Sequence, residues 1–163
     1  MALSTRPIRA RPHRLPHVRY QGLVLAFFTL CLSDRSDAFL HASVVFPMRE
    51  LLAVSASRFA CVVRAYCFMP DHAHVLLSGV DDRADLWRAI VDWKQRSGFW
   101  LALHAPGTTW QKGFYDRILR TEADRPACVR YIVANPVRAG LVDSWEDYPF
   151  LGGLDVDGER SAG

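Results

Sequence analysis

The triplet His72-Ala73-His74 is the sharpest chemical signal in the chain. On a β-strand successive side chains point to opposite faces, so both imidazoles would project from one face while Ala73, Val75 and Leu77 occupy the other. Two neutral imidazoles close together on a rigid strand form half of a divalent-cation site. Two ordinary histidines beside a turn have the same sequence, and the short pattern alone does not separate these readings. Tyr131 and Asn135 are the second signal: four residues apart, they share one face of a helix. A tyrosine hydroxyl can act as a covalent nucleophile. An amide carbonyl oxygen is a hard donor suited to Mg2+ or Mn2+. A tyrosine packing on an amphipathic face and an asparagine ending a helix ahead of Pro136 have this same spacing, and the residues by themselves favour that plainer account.

Cations and aromatic rings are interleaved around these residues. Arg83, Arg88, Lys94 and Arg96 fall in one segment; Lys112, Arg117, Arg120, Arg125, Arg130 and Arg138 fall in another, near Trp110, Phe114 and Tyr115. Bases stack on exposed aromatics while phosphates meet cations, so the pattern suits single-stranded nucleic acid. Trp93 and Trp100 sit in an apolar stripe and read as core. Arg6, Arg9, Arg11, Arg14 and Arg19 crowd the first twenty residues with no acid among them, a plausible phosphate-binding arm or a solvated tail. The net charge of +3 conceals an asymmetry, because residues 143–163 hold six acids and one base and residues 1–142 carry a net +8.

These groups need a scaffold. The run LVLAFFTLCL, starting at Leu23, resembles the apolar part of a signal peptide, but its long, proline-broken basic flank and the lack of a small-residue cleavage site favour a buried strand over Leu23–Cys31. The spacing predicts a helix from about Pro47 to Phe59, a strand over Cys61–Phe68, a turn at Pro70 and Asp71, and a strand over His72–Ser78. Asp81 or Asp82 is expected to cap a helix over about 83–103. A short strand falls within Trp110–Leu119, and a helix capped by Thr121 runs from about Glu122 to Ala134, ended by Pro136. The order β-α-β-β-α-β-α predicts an α+β protein with a ferredoxin-like antiparallel sheet, helices on one face, and an additional C-terminal helix carrying Tyr131. The expected organisation is a basic arm over 1–20, one domain over 21–142 and an acidic C-terminal tail over 143–163.

Composition bounds the rest. The chain has 163 residues, 50% hydrophobic and 23% charged, which excludes a disordered or collagen-like chain and suits a single domain. No apolar run approaches the roughly 18 residues of a membrane span. Four cysteines without a CxxC pair read as reduced thiols, and the cytoplasm is the expected location.

Three segments, FMPDHAHVLLSG, WQKGFYDRILRTEAD and RYIVANPVRAGLV, carry a family likeness when taken in that order. Over roughly residues 15–150 the chain resembles the single-tyrosine HUH transposases, above all the bacterial subgroup associated with repetitive extragenic palindromes. The resemblance implies His72 and His74 as metal ligands, Asn135 as the third ligand where insertion-sequence relatives usually have glutamine, and Tyr131 as the nucleophile. It implies Mg2+- or Mn2+-dependent cutting and joining of single-stranded or hairpin DNA through a 5′-phosphotyrosine, by a monomer or homodimer, with no membrane partner. Arg9, Arg11, Arg14, Arg19, Lys94, Arg96, Lys112, Arg117, Arg120, Arg130 and Arg138 are the expected DNA contacts. Tyr115 is a competing tyrosine without a metal-binding neighbour at helical spacing, and reads as structural or DNA-contacting. A hairpin-binding module without catalysis and a metal-dependent hydrolase using water are the rival readings.

Overall fold

A single threonine interrupts an otherwise apolar strand β1 (Leu25–Cys31), and every residue of that strand is buried. Burial on both faces places β1 inside a sheet. The computed structural model describes residues 15–34 and 36–161. In it β1 pairs antiparallel with β3 (His72–Gly79) on one side and with β4 (Tyr115–Ile118) on the other. Strand β2 (Cys61–Met69) forms a hairpin with β3. A two-residue strand β5 (Leu151–Gly152) completes the order β4-β1-β3-β2-β5.

Helices α1 (Ala42–Arg58) and α2 (Leu86–His104) cover one face of this sheet. Trp93 of α2 is fully buried; its indole Nε1–H donates to Met48 O at 2.9 Å, and its ring meets Phe68 of β2 at 6.2 Å. Phe28 of β1 points the same way, against Phe114, and Trp87 of α2 closes that cluster. The alternation of β1 sends Phe27 and Thr29 to the opposite face, where α3 (Arg125–Arg138) lies. The sheet therefore stands between the two-helix layer that the ferredoxin-like reading expects on one face and, on the other, the additional helix that carries Tyr131, whose face that reading leaves open.

Several boundaries differ from the sequence expectation for identifiable reasons. Helix α1 begins at Ala42 and passes through Pro47, because buried Val44 and Val45 extend the apolar stripe of Met48 and Leu52 in the N-terminal direction. Helix α2 is capped by Asp85, whose carboxylate accepts from Arg88 N–H at 2.9 Å; Asp81 instead closes its own turn with Arg83. Helix α3 starts at Arg125, after a 3-10 turn that carries the Thr121–Asp124 capping box, and continues through Pro136. Proline deprives Ile132 of its helical donor. The Asn135 side chain compensates, with Nδ2 donating to Tyr131 O at 2.9 Å and to Ile132 O at 3.4 Å. The helix then ends with Gly140 at φ 72°, where Gly140 N–H donates to Val137 O and Leu141 N–H to Pro136 O. That pair of bonds is the Schellman arrangement.

The acidic stretch, described as far as residue 161, does not read as a tail in the structure. Tyr148 and Phe150 are buried, Tyr148 Oη donates to Phe68 O at 2.6 Å, and β5 extends the sheet beside β2. Helix α4 (Leu154–Ser161) follows, and both oxygens of its Asp155 accept from Arg125 at 3.1 Å while Oδ1 also accepts from Arg64 at 3.4 Å. At the other end of the chain the arm stops short of residue 20, since Tyr20 is fully buried with its hydroxyl donating to Asp116. Asp155 thus anchors the first turn of the tyrosine-bearing helix. Asp155→Ala leaves two half-buried guanidinium groups without this acceptor and is expected to cost about 1–3 kcal/mol, read as a lower midpoint in urea. An unchanged midpoint would show that the anchor is not needed.

Candidate active site

The register of the central strands assembles the site. Thr29 of β1 lies opposite His74 of β3, and Cys67 and Met69 of β2 lie opposite His74 and His72. Both imidazoles therefore occupy the face that looks toward α3, with ring centroids 4.8 Å apart. Each ring is fixed through Nδ1. His72 Nδ1–H donates to Asp71 Oδ1 at 2.6 Å, and His74 Nδ1 shares a 2.9 Å hydrogen bond with Thr29 Oγ1. Anchoring Nδ1 in this way turns Nε2 of each ring away from these partners, the orientation in which a second-sphere hydrogen bond supports a metal-binding histidine. His74 is held neutral: burial first, then His72 and the Arg138 cation, push its pKa down to about 3.

Tyr131 of α3 packs on this face. Its ring sits edge-on to Phe27 at 6.0 Å and to His74 at 5.9 Å, while Phe27 stacks on His74 at 5.5 Å. The side chain remains 45% exposed, so a large substrate can reach its hydroxyl. The Arg138 guanidinium lies 4.6 Å over the Tyr131 ring, and its Nη2 donates to Asn135 Oδ1 at 3.1 Å. A phenol, two imidazoles and one guanidinium thus meet on one open surface, with the amide of Asn135 held against the guanidinium. Among the described residues, no group of three or more His, Cys, Asp and Glu side chains is placed to hold a metal ion.

Next to Tyr131 the site opens into a cavity of about 490 Å³ between β1, β4 and the start of α3. Phe27, Tyr115, Arg117, Asp124 and Cys128 line it.

The sequence profile of the family described as "Transposase IS200 like" matches residues 25–135. The chain belongs to the IS200-like transposase family. It is 31% identical over 129 residues to the REP-associated tyrosine transposase of Escherichia coli (strain K12), an alignment spanning 76% of this chain and 73% of that relative. Its fold is similar to that of a REP-associated tyrosine transposase solved bound to a REP hairpin, with a TM-score of 0.72 at 22% identity, covering 87% of this chain and 81% of the other.

In this IS200-like transposase the structure brings His72, His74, Tyr131 and Arg138 together, whereas the hydrogen bonds of the Asn135 amide run to helix carbonyls and to Arg138. The cations divide. Arg117 and Arg138 lie at the site, and Arg120 and Arg130 are exposed on the adjoining loop and helix. Arg19 and Lys112 are exposed elsewhere on the surface. Lys94 and Arg96 belong to α2, on the far side of the sheet. Lys94 Nζ donates to Gln111 O at 2.7 Å and Gly113 O at 3.2 Å, bracing a loop, and Arg96 pairs with Asp92 at 2.8 Å. Arg9, Arg11 and Arg14 lie outside the described residues. Sequence reasoning passes over Thr29 and Asp71 as supports. A signal for Thr29 is present: it is the one hydroxyl in an apolar run, and a buried hydroxyl requires a partner.

Proposed function

We propose that this transposase cuts and joins single-stranded or hairpin DNA through a covalent link between Tyr131 and a 5′-phosphate. The observation that carries this reading is the contact of the half-exposed Tyr131 ring with His74, on the strand face that also presents His72. Hairpin DNA as the substrate draws support from the relative of similar fold, which is bound to a REP hairpin. The basic residues that share the tyrosine face provide phosphate neutralisation.

The residues present fit a divalent cation. Nε2 of His72 and Nε2 of His74 would be the nitrogen donors, and Asn135 Oδ1 the hard oxygen donor once Arg138 releases it. Mg2+ or Mn2+ held there would supply Lewis-acid polarisation of the phosphate. Tyr131 Oη attacks phosphorus in line. The bond from phosphorus to the 3′ oxygen breaks as the bond to Oη forms, and the phenolic proton is balanced by the proton gained on the departing 3′-OH. The exchange of one phosphodiester for another keeps the bond energy for a later joining step, so neither water nor a nucleoside triphosphate is consumed. Arg138, freed from Asn135, faces the charge that builds on the phosphoryl oxygens.

The rival reading, a hairpin-binding module without catalysis, is favoured by one observation: Asn135 Oδ1 is engaged with Arg138. Incubation with a labelled hairpin oligonucleotide and Mn2+ separates the two. The catalytic reading expects a protein–DNA band that survives denaturing electrophoresis and disappears with chelator. Binding without any such band leaves the silent module.

A further inference from the structure

The cavity that Tyr131 and His74 border extends beyond them, to Tyr115, Arg117, Asp124 and Cys128, which the chemistry described above does not use. We propose that it receives one unpaired nucleobase adjoining the phosphate that Tyr131 attacks, which makes it the place where the enzyme reads its cleavage site. The inference rests on the Tyr131 reading for its position along the DNA, but not for the existence of the pocket.

The volume is the first argument. About 490 Å³ lies in the range of small-molecule sites, about 300–1,000 Å³, and leaves room for a base with part of its sugar. The walls are the second. Phe27 and Tyr115 stand 6.3 Å apart with their rings at 67°, so a planar ligand can lie on one ring and meet the edge of the other. Every base has a π face, and stacking on aromatic side chains is a sequence-tolerant source of affinity for single strands. Phe27 also meets the rings of both Tyr131 and His74, so a base against Phe27 lies beside the groups that face the reacting phosphate.

Polar groups at the wall give the third argument. Asp124 Oδ2 accepts from Thr121 N–H at 3.0 Å and from the Thr121 hydroxyl at 3.3 Å, which leaves Oδ1 to accept from an amino or imino N–H of a base. Thr29 Oγ1, deeper in the cavity, is already committed to His74. Arg117 is exposed at the rim, where the backbone phosphates of a bound strand would pass. A largely apolar slot with a carboxylate and an exposed cation in its lining matches a nucleobase still attached to its chain better than a free anion, which the carboxylate would repel.

Ala127 lines the same cavity from an exposed position on α3, one turn before Tyr131, so a larger side chain there takes up space that a base would need. The test is a scan of hairpin oligonucleotides, each with a single-stranded extension in which one nucleotide is abasic. Binding is measured in chelator so that no strand is cut. One position is expected at which loss of the base weakens binding to the wild-type protein by about tenfold. The same loss should matter less than about twofold for Ala127→Trp, whose pocket is already blocked. That position should adjoin the phosphate joined to Tyr131 in the covalent product. Ala127→Leu, a smaller filler, replaces the tryptophan variant if circular dichroism shows the latter misfolded. Equal effects on wild type and filled variant at every position would overturn the proposal. So would a coupled position remote from the cleaved phosphate. If the scan finds the coupled position but no covalent product forms with Mn2+, the pocket stands and the Tyr131 chemistry falls.

Discussion

Tyr131→Phe is expected to yield no covalent protein–DNA product and no nick, with hairpin binding retained. The substitution removes one oxygen and keeps the ring. Contacts of that ring with Phe27, with His74 and with the Arg138 guanidinium survive, so the position of α3 is unchanged. A loss of more than about a thousandfold in rate, about 4 kcal/mol of barrier, is the expected scale for removing the nucleophile. Tyr115→Phe is the control. Tyr115 lines the same cavity and meets the ring of Phe27 at 6.3 Å, with no contact to His74 of the kind Tyr131 makes, so its variant should still form the covalent product at a reduced rate. The reverse result, a product from Tyr131→Phe but not from Tyr115→Phe, would transfer the nucleophile to β4.

The histidines should show a graded effect. His72→Ala and His74→Ala each remove a donor atom and are expected to abolish Mn2+-dependent cleavage while hairpin binding persists. Thr29→Val acts one step further out. It preserves the shape of a buried side chain but leaves His74 Nδ1 without its partner, so the imidazole loses the bond that fixes its orientation. A fall of about 10- to 100-fold in Mn2+ affinity is expected, measured by calorimetry on the DNA-free protein. Normal cleavage by both alanine variants would remove the metal site from this strand. An unchanged affinity for Thr29→Val would show that the hydroxyl does not position His74.

The strands are legible in the sequence because their signal is local. β1, β2 and β3 lie within two residues of where apolar runs and the Pro70–Asp71 turn place them, and the histidine pair can be assigned to a common face from alternation alone. Helix termini are less so where several residues compete to cap the same end. Of Asp81, Asp82 and Asp85, only the last meets the free N–H of Arg88, a fact of three-dimensional reach. The acidic stretch passes for a tail because a two-residue strand has no periodicity and because Asp155, an apparently solvated acid, finds two arginines distant in sequence. The end of α3 is hidden because Pro136 is a general helix breaker and the compensating amide of Asn135 is specific to this helix. At the candidate site the separate pieces can be read, but the meeting of Tyr131 with His74 cannot, since it depends on the face of the sheet to which α3 returns.

The place of β1 in the sheet imposes a timetable on synthesis. Ala26 pairs with Leu77 on one side and with Ile118, 92 residues further along the chain, on the other. During N-to-C elongation the most apolar strand of the protein is therefore made first and stays half-paired until β4 emerges. Until β4 emerges, the edge of β1 that it will cover offers unsatisfied backbone groups beside Phe27 and Phe28. Long-range pairing of this kind slows folding and lengthens the exposure of sticky edges. Truncation after β3 should consequently give an aggregating nascent chain, and the last third of the message serves solubility as well as supplying the tyrosine.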